Sequence, residues 1–283
     1  MEPGDGATTT RYQADVVLTA DEQFRIHAPG TIDVRDGRIT WVGAAADAPP
    51  LSDSHQERLS GLLMPGLVDA HCHTPMTLLR GAGEGLPLDR WLSEVMWPRE
   101  ARMDADDVWW GMAMGAAELL GNGVTTTCEM YLFSEAVADA AASAGLRCTV
   151  TPLIVEGPGW ERFGDWRRQL DAALRFHEQP HHPLITTVLG PHSAYALPVD
   201  ALRAVREAAL ARDLLVHIHI AESAREGDGV TAEHGVSVPR LLADLGILDA
   251  RVLAAHSIWL TDEDLDLYQK FNVSVAHCPQ SNG

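Results

Sequence analysis

The chain has 283 residues, 46% hydrophobic and 22% charged, enough to bury the core of one large globular domain with a small companion. A formal net charge of −19 argues against nucleic acid or an anionic membrane as partner, since both attract basic surfaces. No apolar run reaches the roughly 18–20 residues of a membrane span, and MEPGDGATTTRYQ lacks the basic and apolar regions of a secretory signal, so a soluble, cytoplasmic protein is expected.

Residues 1–60 read as short strands separated by turns. ADVVLTA is followed by FRIHAPGTIDVRDGRITWVG, where Asp36-Gly37 is a two-residue hairpin signal. AAADAPPLSDS reads as a surface loop. A small β domain, part of a β-sandwich, is expected here.

From residue 61 to 283 strands and helices alternate. Candidate strands are Leu67–His73, Val124–Met130, Arg147–Val155, Ile185–His192, Leu214–Ala221, Val252–His256 and Val273–His277. Between them lie amphipathic stretches such as DDVWWGMAMGAAELLGNG, SEAVADAAASAG and VDALRAVREAALARD, with Gly145 as a helix-terminating glycine. This alternation predicts an α/β fold of parallel strands with crossover helices, a (β/α)8 TIM-type barrel. Seven strands are found, and the eighth is expected beyond the end of this chain.

Cys72, Cys128, Cys148 and Cys278 lie far apart without a CxxC pair, which argues against a disulfide framework or a cysteine zinc site. The histidines say more. His71 and His73, His192, His219 with His217, His256 and His277 all sit at ends of candidate strands. In a barrel, catalytic residues come from the C-terminal strand ends. Side chains two apart share a strand face, so His71 and His73 can point together into the mouth. One such histidine is as readily a hydrogen-bonded core or surface residue. Gathered at successive strand ends, they point to a metal.

LLMPGLVDAHCHTPMTLLRG resembles the first-strand signature of the amidohydrolase superfamily. GPHSAY, HIHIAES, AAHSIWL and HCPQSN follow in the order of its adenosine, 5′-methylthioadenosine and S-adenosylhomocysteine deaminase-like branch, a resemblance running over about 15–283. It implies one zinc ion per subunit, with Fe2+ or Mn2+ as alternatives, held by His71, His73 and His219. His217 is the rival on the same strand face, but the family's His-x-x-Glu pattern fits His219 with Glu222. Glu222 would protonate the ring nitrogen beside the attacked carbon, His256 would stand by the metal, and His192 would touch the substrate. Zinc-bound hydroxide would attack and ammonia would leave. The family's metal-binding aspartate at the end of strand eight has no match here, and Asp69 is a poor substitute.

Trp91 and Glu100, in LPLDRWLSEVMWPREARM, match the segment that reads ribose hydroxyls in the similar deaminases; the alternative is an ordinary amphipathic helix with Glu100 in solvent. Gly81-Ala82-Gly83-Glu84-Gly85 reads as a mobile loop over the barrel mouth. Pro152 follows Thr151 where relatives that bind S-adenosylhomocysteine can carry arginine, so a neutral or smaller nucleoside is equally expected. His55-Gln56-Glu57 lacks the Pro-Cys-x-x-Cys partner of the other zinc deaminase design.

The expectation is therefore a metal-dependent deaminase of an adenine nucleoside. Open alternatives are an s-triazine chlorohydrolase, a guanine, cytosine or oxidised-purine deaminase, and a non-catalytic member or fragment. Barrels of this type often form homo-oligomers, but the sequence offers no interface.

Overall fold

The computed structural model describes residues 8–51, 54–157 and 159–282. It divides into two compact units, one up to Gly66 and one from Leu67. The boundary lies six residues beyond the composition change at 60, because a strand of the first unit runs on to Leu63.

The N-terminal unit is a single mixed sheet, one layer rather than two packed sheets. Its strands are β1 (Thr9–Leu18), β2 (Ile26–His27), β3 (Gly30–Arg35), β4 (Arg38–Ala44) and β5 (Ser54–Leu63). β3 and β4 form the hairpin expected at Asp36-Gly37: Arg35 pairs Arg38, and both turn residues have positive φ, 52° and 71°. β1 is central, antiparallel to β2 and β3 and parallel to β5. Arg11 on β1 donates two hydrogen bonds of 2.7 Å to the buried Asp33 carboxylate on β3. The expected loop AAADAPPLSDS holds a single turn, Ala45–Asp47; Ser52 and Asp53 lie outside the described residues, and Ser54 already belongs to β5. HQERLSGLL is too polar to advertise a strand, and its side chains are mostly exposed.

The second unit carries β6 (Leu67–Cys72), β7 (Val124–Tyr131), β8 (Arg147–Ile154), β9 (Ile185–Thr187), β10 (Gly190–Pro191), β11 (Val216–Ile220), β12 (Val252–His256) and β13 (Ser274–Ala276). β6, β7 and β8 pair in parallel in chain order, as do β11, β12 and β13, and β9 and β10 both pair in parallel with β8. The expected fourth strand is split into β9 and β10, and single bridges Leu189–Val216 and Ser193–His219 join it to β11. Seven strand positions therefore follow one another in chain order, and helices cross between them. This is the arrangement of a (β/α) barrel.

The helices used below are α1 (Ala105–Gly121), α2 (Ser134–Ala144), α3 (Trp166–Glu178), α4 (Val199–Arg212) and α5 (Ala224–His234). α1 starts at a reciprocal capping box between Asp104 and Asp107, and α2 ends at Gly145 with φ 79°. Inward faces of α3 and α4 supply Leu170, Ala173, Leu202 and Val205 to a core shared with Leu189, Val216 and Ile218. Full burial of each such leucine or valine contributes about 1.5–3 kcal/mol.

α1 presents Gly111 and Gly115 to the 3-10 turn Thr74–Leu79. A Cβ at Gly111 would strike the Pro75 carbonyl, and one at Gly115 the Thr74 side chain. Their absence lets the outer helix lie directly against the segment that follows His71 and His73. No helix among the described residues is long and apolar enough to cross a membrane.

Candidate metal centre

β6 brings His71 and then His73 to its C-terminal end. The strand is not regular there: Asp69 pairs with Thr127 and Cys72 with Glu129, so three steps on β6 oppose two on β7. This extra residue is a bulge, a device that re-aims side chains beside active sites. β11 brings His217 and His219 up on one face, and β12 ends in His256.

His71, His73 and His219 each offer a ring nitrogen within 4.8 Å of the others. Their other nitrogens are committed. His73 Nδ1–H donates to the Met130 carbonyl at 2.7 Å, and His219 Nδ1–H to the His192 carbonyl at 2.8 Å. A carbonyl can only accept, so in the neutral rings each Nε2 carries a lone pair. These two Nε2 atoms face each other at 3.3 Å, and His71 Nε2 is buried with no partner among the described residues. Lone pairs turned toward one another repel unless a cation lies between them. The donor set therefore fits a borderline-soft divalent ion such as zinc.

Burial keeps these rings neutral. Desolvation, then the neighbouring histidines, push His71 and His219 well below the usual imidazole range, and desolvation lowers His73. His217 is fully buried and stands behind the site. Its Nε2 lies 2.8 Å from His71 Nδ1, and its Nδ1 lies 3.1 Å from Thr151 Oγ1. With His71 Nε2 left as an acceptor, His71 Nδ1–H donates to His217 and His217 Nδ1–H to Thr151. The chain fixes the orientation of His71.

Two positive-φ turns close the strands beside the site. Ala221 (φ 52°) follows β11, and His256 (φ 72°) and Ser257 (φ 55°) end β12. Such residues cost about 1–3 kcal/mol each and gather at functional sites. They set Glu222 Oε1 3.3 Å from His256 Nε2, with both side chains nearly buried. Burial raises Glu222 to about 7 and lowers His256. His256 Nδ1–H donates to Asn282 Oδ1 at 3.0 Å.

One cavity of about 270 Å³ is lined by the eight residues to which the family resemblance assigns a role: His71, His73, His192, His219, Glu222, His256, Trp91 and Glu100. Glu100 is buried, not in solvent, at the end of a helical stretch over 88–100 whose middle turn, Trp91–Met96, has π geometry. Burial raises its pKa, and the Tyr131 hydroxyl opposes that by hydrogen bonding. Trp91 donates its indole N–H to the Ala82 carbonyl in the 81–85 loop at 2.9 Å, tying that loop to the cavity wall. His277 is not among the cavity's lining residues, whereas Cys278 is. A larger, more open depression of about 930 Å³ shares Leu88, Leu92, Trp97 and Tyr195 with this cavity but touches none of the clustered histidines.

Sequence reasoning passed over two buried glutamates. Glu129, in CEMY at the end of β7, accepts the Thr74 N–H; a carboxylate in an apolar strand end was the available signal. Glu226 accepts the Glu222 N–H at 2.9 Å, and Ser223 accepts the Glu226 N–H. The Ser-x-x-Glu spacing at 223–226 announces it as a helix start.

The amidohydrolase family profile matches residues 62–283. A 5-methylthioadenosine/S-adenosylhomocysteine deaminase of Symbiobacterium thermophilum is 38% identical over 95% of this chain and 62% of its own length. A 5′-deoxyadenosine deaminase of Methanothermobacter thermautotrophicus is 34% identical over 89% of this chain and 59% of its own. An adenosine deaminase structure from Xanthomonas campestris with bound zinc has a TM-score of 0.89 and 33% identity, over 97% of this chain and 63% of that one. A guanine deaminase from C. acetobutylicum, at 18% identity and TM-score 0.85, shares the fold. The chain spans about three-fifths of the length of the relatives it matches.

Proposed function

Because the chain belongs to the amidohydrolase family, we propose that it carries the active site of a metal-dependent hydrolase that deaminates an adenine nucleoside, with adenosine, methylthioadenosine and S-adenosylhomocysteine as candidates. The observation that carries this reading is one cavity lined both by His71, His73 and His219, whose unprotonated nitrogens lie close together, and by the buried Glu100. The names of relatives at 34–38% identity support the substrate class.

His71, His73 and His219 would hold the ion, zinc in the first instance, with Fe2+ or Mn2+ as alternatives. A metal there supplies a water acidic enough to ionise near pH 7. Burial lifts Glu222 to about 7, so a large share of it still carries a proton near neutral pH, and it delivers that proton to the ring nitrogen next to the attacked carbon. His256, held by Asn282, turns Nε2 toward Glu222 and the same space. His192 borders the substrate cavity, its Nδ1 facing Ser193 Oγ at 2.9 Å. Glu100 and Trp91 receive the sugar: a buried carboxylate has few partners other than hydroxyls that enter with the ligand.

Free thiols at Cys72, Cys128, Cys148 and Cys278 support a reducing, cytoplasmic setting. The deciding experiment incubates the full-length, zinc-loaded protein with adenosine, methylthioadenosine, S-adenosylhomocysteine and guanine and follows ammonia. Release from a riboside is expected; release from guanine alone, or from none, overturns the reading.

A further inference from the structure

We propose that Glu129 is a positioning residue for the metal centre, holding the bulged end of β6 so that His71 and His73 keep the spacing a cation requires. This rests on the reading of His71, His73 and His219 as metal ligands.

A bulge leaves one residue out of the strand ladder and loosens the pairing around it. Here the extra residue falls between Asp69 and Cys72, on the stretch that carries His71. Something must fix the chain beyond it. Glu129 meets it there with both carboxyl oxygens: Oε1 accepts the Thr74 backbone N–H at 2.7 Å, and Oε2 accepts the Cys72 S–H at 3.2 Å. The next residue, Met130, accepts the His73 Nδ1–H. The end of β7 thus grips the backbone after His73 and the His73 ring together, and Cys72 is anchored a second time by Thr127 Oγ1 at 2.5 Å.

Glu129 is fully buried and, among the described residues, in no salt bridge. An apolar side chain of the same length would be cheaper to bury. A methionine would fill the space but could not accept the Thr74 N–H. The carboxyl group is therefore explained by what it holds in place, not by packing.

The test compares full-length wild type, Glu129→Gln and Glu129→Met by zinc competition against a chromogenic chelator, together with the unfolding midpoint of each zinc-free protein. Glu129→Met is expected to bind zinc about 10–100-fold more weakly at an unchanged or higher zinc-free midpoint. Glu129→Gln keeps an acceptor for Thr74 and is expected within about threefold of wild type. A Met variant with wild-type affinity overturns the proposal, as does an equal loss in both variants. If the Met variant does not fold, hydrogen exchange at the Thr74 amide of the wild type decides: slow exchange is expected, and exchange as fast as in an open loop overturns the clamp. The two readings separate cleanly. Wild type that binds no zinc removes the metal centre itself, whereas binding that His219→Ala abolishes and Glu129→Met leaves intact removes only the role of Glu129.

Discussion

Glu222 and His256 face each other at 3.3 Å between Oε1 and Nε2, and both are arranged to be neutral. Burial favours the protonated carboxyl and the unprotonated ring, and Asn282 takes the Nδ1–H, leaving Nε2 as an acceptor. The proton between them sits on Glu222, where a general acid needs it.

The first prediction concerns that proton. A step that uses protonated Glu222 weakens as pH rises through about 7, the value to which burial lifts this group. The kcat of the zinc-loaded enzyme should fall about tenfold per pH unit on the alkaline side. Glu222→Gln should lower kcat by about 10²–10⁴-fold while metal analysis shows zinc still bound. A Gln variant with near-normal turnover removes Glu222 from the mechanism.

The metal ligands and their support should separate by severity. His219→Ala removes a nitrogen facing the ion and is expected to abolish stoichiometric zinc. His217→Ala only frees the orientation of His71 and should weaken zinc by about 10–100-fold. Chelator competition measures both, and equal losses would make His217 a ligand in its own right.

Glu100→Ala tests sugar recognition. Glu100 is 7% exposed and lies in the same cavity as the histidines, so its loss should raise KM for ribosides several-fold more than for free bases. Initial rates on nucleoside and base pairs check this. Equal effects would reduce Glu100 to a structural acid.

Acid should unfold the metal-free protein readily. Burial, then the neighbouring histidines, hold His192 and His217 at about 3, and His71, His73 and His219 are lowered as well. The unfolded chain binds those protons near pH 6.5 and the folded chain does not, so stability drops as pH falls below 6.5. Glu129, Glu222 and Glu226, raised by burial to about 7, act oppositely between pH 4.5 and 7. The histidines outnumber them. Thermal unfolding of chelated protein at pH 5 should show a lower Tm than at pH 7; the reverse order would mean the rings are protonated inside the fold.

The strands of the second unit were legible as short apolar runs, five of which carry at or near their ends a histidine, a residue that apolar runs rarely contain. His71, His73, His192, His219 and His256 advertised their strand ends, and chain order alone lines those ends up on one rim. Less visible were features created by register and by long-range neighbours. Nothing in LVDAHC reveals that an extra residue is inserted against β7, nor that Glu129 lies opposite Cys72. The break between β9 and β10 was hidden for a similar reason: ITTVL is uniformly strand-like, and nothing in it marks where the ladder stops after Thr187. β5 was invisible because its residues are mostly polar and exposed and carry no apolar alternation.

The two bare positions on α1 have a consequence for how this protein can drift. Gly111 and Gly115 let the outer helix rest on the turn that leads out of the histidine pair. Close-packed matter transmits displacement with little loss. One added methyl on that helix would be felt as a shift of the turn beneath it and hence at the imidazoles. The outer helix and the histidine cavity are mechanically geared, so substitutions on that helix are felt at the imidazoles.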